Sequence, residues 1–212
     1  MKPLYLLVEG QTEEEFVKEV LRPYLHHRGL IEIIPIRIST KAGFKGGFVR
    51  YEHLERDAGL LLRQRRNIVV SMFVDYFRLP NDIPGYADCS RIHNIDGRLT
   101  CLEENIGIDI GDARFVPYIQ KYEFEALLFS SNSGFENYYG SQVSNRTQEI
   151  IELYLNPEDI NDGPNTSPSN RLRNIVPTYN KVLAGNILAL EIGIDTIPVS
   201  YTHLTLPTKR IV

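Results

Sequence analysis

Short apolar runs alternate with stretches of helical period through the first 130 residues of the chain. "PLYLLVE" (3–9) has no helical period and reads as a strand buried on both faces. Phe16, Val20 and Tyr24, with Val17 and Leu21 beside them, then form the stripe of a helix extending to about His27, with a kink expected at Pro23. Thr12 and Glu15 have capping-box spacing, and Glu13 and Glu14 fall in the first turn, where the helix dipole favours negative charge. "LIEIIPIRI" predicts a second strand, "YEHLERDAGLLLRQRR" a helix, and "NIVVSMFVDYF" a third strand ending near Asp75. A helix around Leu102, a fourth strand "ARFVPYIQ" and a helix opening at "YEFEALLF" follow. Strands separated by helices imply an α/β fold with a mainly parallel, four-stranded, Rossmann-like sheet flanked by helices.

Beyond residue 130 the strand signal stops. "SQVSNRTQEIIELYL" and "RLRNIVPTYNKVLAGNILALEIGI", the latter interrupted by Pro177, flank a loop rich in Pro, Asn and Ser. The expected organisation is an α/β core over 1–130, a helical extension packed on it over 131–197, and a tail over 198–212. That tail, "PVSYTHLTLPTKRIV", breaks from the helical pattern and resembles translated sequencing-adaptor read-through, so it is expected to be non-native.

Composition narrows the function. The 212 residues carry 23 basic and 27 acidic side chains, a formal charge of −4, so no global positive field attracts nucleic acid and any such contact must be local. Cys89 and Cys101 have neither CxxC nor Cys/His spacing; two cysteines in this length do not suggest a disulfide scaffold, and a reducing cytoplasm fits best. No apolar run approaches the roughly 18–20 residues of a membrane span, and the acidic start does not read as a secretory signal. His26 and His27 are adjacent and diverge, His53 and His93 lack ligand-spaced partners, and neither a P-loop nor a G-x-S-x-G elbow is present.

The acids at strand ends are more informative. In a parallel α/β sheet the carboxyl ends of neighbouring strands open onto one crevice, where residues distant in sequence meet. Glu9 ends the first strand, Asp75 the third, and Glu123 and Glu125 follow the fourth. Such a set suits Mg²⁺, which takes one or two carboxylates and leaves positions for phosphate oxygens, although acids at such turns also serve as caps.

"LLVEGQTEEEFVKEVL" resembles the opening motif of Toprim domains, whose glutamate closes the first strand, and "VSMFVDYFRLPNDIPG" resembles the later strand that bears their acidic pair. "QKYEFEALLFS" with "PEDINDGPNTSPSNRL" resembles a bacterial Toprim-like family of unknown function, a distant relative of the OLD-type nuclease domain often encoded beside an ATPase. The resemblance implies that Glu9 is the Toprim glutamate and Asp75 the first acid of the pair, but Phe77 stands where the second aspartate belongs. Glu125 is the first candidate to replace it, with Glu123 and Asp82 as alternatives. The implied activity is that of a Mg²⁺- or Mn²⁺-dependent nuclease or related phosphotransferase on nucleic acid, the effector of an ATPase-associated defence or repair system. The competing reading is a non-catalytic binding or regulatory subunit of an ATPase partner.

The catalytic and metal-ligand set expected is therefore Glu9, Asp75 and Glu125. Lys41, Lys45 and Arg50 in a glycine-rich stretch, Arg78 just after Asp75, and Ser169 and Arg171 at a loop-to-helix junction beside Ser167 are the candidate nucleic-acid contacts. Tyr179 and Lys181 also match the family pattern but read more simply as packing and solvated surface.

Overall fold

The computed structural model describes residues 2–27, 32–39, 48–161, 165–193 and 195–197. Lys41, Lys45 and the tail over 198–212 lie outside them.

Strands β1 (Leu4–Val8), β2 (Ile33–Arg37), β3 (Val69–Asp75) and β4 (Phe115–Val116) form a parallel sheet in the order β2-β1-β3-β4, and β5 (Ile119–Gln120) also pairs with β3. The expected fourth strand is thus present as two fragments. Pro117 explains the break, because it has no N–H for the ladder. Register is preserved across it: Ser71 faces Val116 and Val74 faces Ile119, three residues on in both segments.

Side-chain alternation in β1 divides the interior. Leu4, Leu6 and Val8 join one apolar cluster, and Tyr5 and Leu7 the other. The Tyr5 side is covered by α3 (Tyr51–Gln64) and α5 (Ile95–Ile110), through Leu54, Ala58, Leu99, Leu102 and Ile106. The opposite side is covered by the first helical stretch and by the C-terminal helices α6 (Ser133–Tyr139), α7 (Ser141–Leu153), α8 (Pro168–Ile175) and α9 (Asn186–Ile192). Its core includes Phe16, Phe124, Phe129 and Phe135, all fully buried.

Two expectations about local structure are corrected, and a third takes a specific form. The first helix begins as α1 (Gln11–Phe16) with Gly10 at its N-cap and no side-chain cap, so the Thr12/Glu15 capping box does not form. Pro23 does perturb this helix, as a π-helical turn over Val17–Leu21, where the Arg22 N–H reaches back to the Val17 carbonyl before α2 (Arg22–His27) resumes. Finally, Cys89, at the end of the short helix α4 (Tyr86–Cys89), is disulfide-bonded to Cys101 in α5. The two helices bring their Cα atoms to 5.6 Å, a proximity that the 12-residue separation does not reveal. Among the described residues no helix is long and apolar enough to cross a membrane.

Candidate functional site

The site is assembled at the carboxyl end of β3. Phe73 points into the cluster beneath the C-terminal helices, and alternation places Asp75 on that same face. Pairing then continues past the strand: Tyr76 N–H donates to the Gln120 carbonyl and Phe77 N–H to the Tyr122 carbonyl, both at 2.9 Å. This zipper draws the segment after β5 alongside Asp75. The N–H of Phe124 donates to Asp75 Oδ1 at 3.0 Å, and the 3₁₀ turn Phe124–Ser130 fixes Glu125 next to it. Arg78 and Tyr122, at the two exits, adopt φ of 65° and 61°. Left-handed backbone is uncommon for residues with a side chain, and here it marks both turns into the cleft.

A fourth segment supplies the cation. Lys181 opens a π-helical turn, Lys181–Gly185, whose start is capped by the Asn180 side chain accepting from Leu183 N–H at 3.1 Å. Asn186 anchors that turn to the first helix by donating to the Thr12 carbonyl at 3.3 Å. The Lys181 ammonium is thereby held 3.1 Å from Glu13 Oε1, 3.3 Å from Asp75 Oδ2 and 3.4 Å from Glu125 Oε2, and 5.6 Å from the Phe124 ring centroid. Glu9 lines the same cleft, which encloses about 290 Å³ and is bordered also by Phe77, Arg78, Glu123, Asn170 and Arg173.

Charge in this cleft is unbalanced. Glu13, Asp75 and Glu125 are buried and Glu9 half-buried, and among the described residues the cation paired with the three buried acids is Lys181. Burial, followed by repulsion from Glu13, Glu9 and Glu125, holds Asp75 well above the usual carboxylate range despite the pull of Lys181. Glu9 is raised by burial and by Glu13, against Lys181 and backbone amides of Asp75 and Phe48. Burial also raises Glu125, again against Lys181. For Lys181 burial acts downward, but Asp75, Glu125 and Glu13 outweigh it and keep the amine protonated well above its ordinary range.

The expected acids therefore do meet in one cleft, although the point on which they converge is the ammonium of Lys181. Among the described residues no three His, Cys, Asp or Glu side chains are disposed, as they stand, to ligate one ion. The donor set nevertheless suits a hard divalent cation in chemistry and charge: all its donors are carboxylate oxygens, and Glu125 Oε1 is buried without a hydrogen-bond partner among the described residues. Asp75 and Glu125, with Glu9 at the margin, are the residues that would hold such an ion.

Residues 8–203 match the family described as "Domain of unknown function (DUF4276)". The chain belongs to that family. No curated protein matches it. Among solved structures, this DUF4276 chain is similar to the C-terminal region of the Burkholderia pseudomallei OLD protein, with 16% identity over 93% of this chain and 92% of that one and a TM-score of 0.49. It is also similar to the C-terminal region of the Xanthomonas campestris pv. campestris OLD protein in two structures. The first has 15% identity over 100% of this chain and 99% of that one, TM-score 0.41. The second has 14% identity over 100% and 98%, TM-score 0.44.

The alternative acids of the DUF4276 chain have structural employment. Glu123 accepts from the Ser169 N–H at 2.9 Å and from the Ser169 hydroxyl at 3.0 Å, so its carboxylate is the anion received at the start of α8. Asp82 accepts the Tyr51 N–H at 3.0 Å, at the start of α3. The basic candidates separate similarly. Arg78 is exposed at the cleft, its guanidinium 5.3 Å from the Phe77 ring centroid. Arg50 is exposed beside Glu52 at 3.7 Å and does not line the cleft. Arg171 donates to the Thr166 carbonyl and the Tyr154 hydroxyl, and Arg173 lines the cleft in its place.

Two site residues escaped sequence reasoning. The first-turn position of Glu13 suggests only a helix-dipole role, yet it shares the inward stripe of Phe16, Val17 and Val20 at i+3, i+4 and i+7, a placement the 3.6-residue period already contains. The sequence around Lys181 suggests solvated surface, and nothing local indicates that its turn docks on the start of the first helix.

Proposed function

We propose that this chain is a Mg²⁺-dependent, Toprim-like nuclease or related phosphotransferase acting on nucleic acid. The observation that carries the reading is the meeting of Glu9 and Asp75, from the ends of β1 and β3, with Glu125, from the turn after β5, in one cleft edged by Arg78, Arg173 and Lys181. The sequence resemblance of the segments around Glu9 and Asp75 to Toprim motifs points the same way. Mg²⁺, when bound, would neutralise phosphodiester charge and promote attack by water. Asp75 and Glu125 would hold it through carboxylates whose positions are fixed by the Phe124 amide and the 3₁₀ turn. Glu9, half-buried and raised in proton affinity, is suited to take and return a proton at its carboxylate. Arg78 and Arg173, both exposed at the rim, would grip backbone phosphates. An ATPase partner and a role in defence or repair belong to the same proposal and rest on the sequence resemblance.

One observation favours the non-catalytic alternative. Phe77, at the position of the second Toprim aspartate, stacks under Arg78 and offers no ligand. Incubating the full chain with labelled single-stranded DNA, duplex DNA and tRNA, in Mg²⁺ or Mn²⁺ and then in EDTA, separates the readings. Metal-dependent cleavage that falls at least 100-fold in Glu9→Gln supports the enzyme. Absence of cleavage under every condition, with or without the partner ATPase, refutes it.

A further inference from the structure

The acids of the cleft are organised around a side chain that the proposed reaction does not require at that position. Lys181 Nζ has carboxylate oxygens of Glu13, Asp75 and Glu125 at 3.1, 3.3 and 3.4 Å, so it stands where those side chains converge. A second, independent observation is Glu125 Oε1, which has no hydrogen-bond partner among the described residues and belongs to a residue only 1% exposed. Leaving a buried carboxylate oxygen without a partner is costly. The lysine thus satisfies one oxygen of each acid and leaves donor capacity behind.

Three further features bear on whether the ammonium can leave. Its side chain retains 30% exposure, whereas Glu13, Asp75 and Glu125 retain 5%, 10% and 2%, so the lysine is the part of the cluster nearest solvent. Its stem is an unbranched four-carbon chain able to change rotamer. Its backbone lies at the first residue of a π-helical turn, so the side chain can swing without disturbing a helix interior. Two cations cannot share the centre of this cluster, because an ammonium and a divalent ion a few ångströms apart in a buried site repel strongly.

We infer that Lys181 is a resident counter-ion of the acidic cluster, which a divalent cation displaces on binding, turning the ammonium outward to the cleft, where substrate phosphate would meet it. This rests on the metal-dependent reading above and adds to it a built-in competition: one ammonium partly offsets the acids and holds them in place before metal arrives, and metal affinity is lowered by what it takes to evict the lysine. The released ammonium then contributes positive charge at the rim beside Arg78 and Arg173.

Two measurements on the full chain test the exchange without reference to activity. In the first, amine acylation of the wild-type protein is followed by mass spectrometry with and without Mn²⁺. Lys181 should label at least fivefold faster with Mn²⁺, while Lys18, paired with Glu14 and Glu15 on the first helix, should not change. In the second, titration calorimetry compares Mn²⁺ binding by wild type and Lys181→Met, which should bind at least 10-fold tighter. If Lys181→Met does not fold, the wild-type labelling decides alone. Mn²⁺ binding to wild type with unchanged Lys181 labelling and no gain in the variant overturns the exchange but leaves the metal-dependent reading standing. Absence of Mn²⁺ binding by folded wild type and by folded variant overturns both.

Discussion

Asp75→Asn separates what the cleft does for stability from what it does for chemistry. The wild-type carboxylate accepts the Phe124 N–H at 3.0 Å and faces Lys181 at 3.3 Å. Asparagine keeps an oxygen for the amide and gives up the charge. Breaking a buried ion pair usually costs about 3–5 kcal/mol because the surviving charge is stranded. Lys181 is not stranded here, since Glu13 at 3.1 Å and Glu125 at 3.4 Å remain. The carboxylates that repel Asp75 are relieved at the same time. Asp75→Asn should therefore be as stable as wild type or more stable by about 1–2 kcal/mol at pH 8, within the range seen when buried charges are replaced by neutral groups. Asp75→Ala should fall about 1–3 kcal/mol below the asparagine variant, the cost of orphaning the buried Phe124 amide.

The sign with pH follows from the raised carboxyl. The folded state binds this proton more tightly than the unfolded chain does, so the stability it lends is full at low pH and is lost as pH rises from the unfolded value through the folded one. The advantage of Asp75→Asn over wild type should consequently be widest at high pH and close as pH falls. Urea unfolding followed by circular dichroism at pH 8 and pH 5 measures both gaps. Metal-dependent cleavage by Asp75→Asn should drop at least 100-fold over the same range. A loss of 3 kcal/mol or more at pH 8, or an advantage that grows on acidification, would refute the claim that the cleft is overcharged.

Glu158, 2% exposed and with Oε1 unbonded among the described residues, is pushed up to about 7 from 4.5, chiefly by burial. Its ionisation should cost about 3 kcal/mol above pH 7, so the stability of Glu158→Gln relative to wild type should rise by that amount between pH 4.5 and pH 8, and a pH-independent difference would contradict it. Thiol titration of the denatured chain should find Cys89 and Cys101 oxidised, and their reduction should cost about 3 kcal/mol of loop-closure entropy in chemical unfolding. Gly134→Ala places a methyl 2.9 Å from both the Ile192 side chain and the Leu188 carbonyl, so calorimetry should register a loss of about 1–3 kcal/mol as α6 is pushed from α9.

The strands were legible because burial on both faces leaves an unmistakable apolar run, as in β1 and β3, and because few amphipathic patterns compete with it. The fourth strand was legible in position but not in form, since one proline decides whether eight residues pair continuously. The acids at 9, 75 and 125 were accessible to reasoning for a topological cause: parallel strands must open their carboxyl ends on one side, so the end of each strand is a place that can be read from one dimension. Lys181 was not accessible by that route. Its position depends on Asn186 bonding the Thr12 carbonyl, 174 residues away, and no periodicity encodes a contact between the last helices and the first. Cys89 and Cys101 failed for a related reason, because their separation is set by how α4 folds against α5.

The same long-range closure explains why a cleft this unfavourable persists. Burying Glu13, Asp75 and Glu125 around one amine cannot be favourable in isolation, and the raised carboxyls record the cost. The groups are nevertheless held in place by elements that are stable for other reasons. Glu13 rides on the stripe of Phe16, Val17 and Val20, Asp75 ends the strand of Phe73, and Glu125 sits in a turn whose Phe124, Leu127, Leu128 and Phe129 are fully buried. Apolar burial on that scale, roughly 1.5–3 kcal/mol per large side chain, opposes the electrostatic penalty of the cluster. The acids are therefore imposed by the core. Such imposed repulsion is what a cation-binding site requires, because the free energy stored in unneutralised carboxylates is recovered when a divalent ion binds.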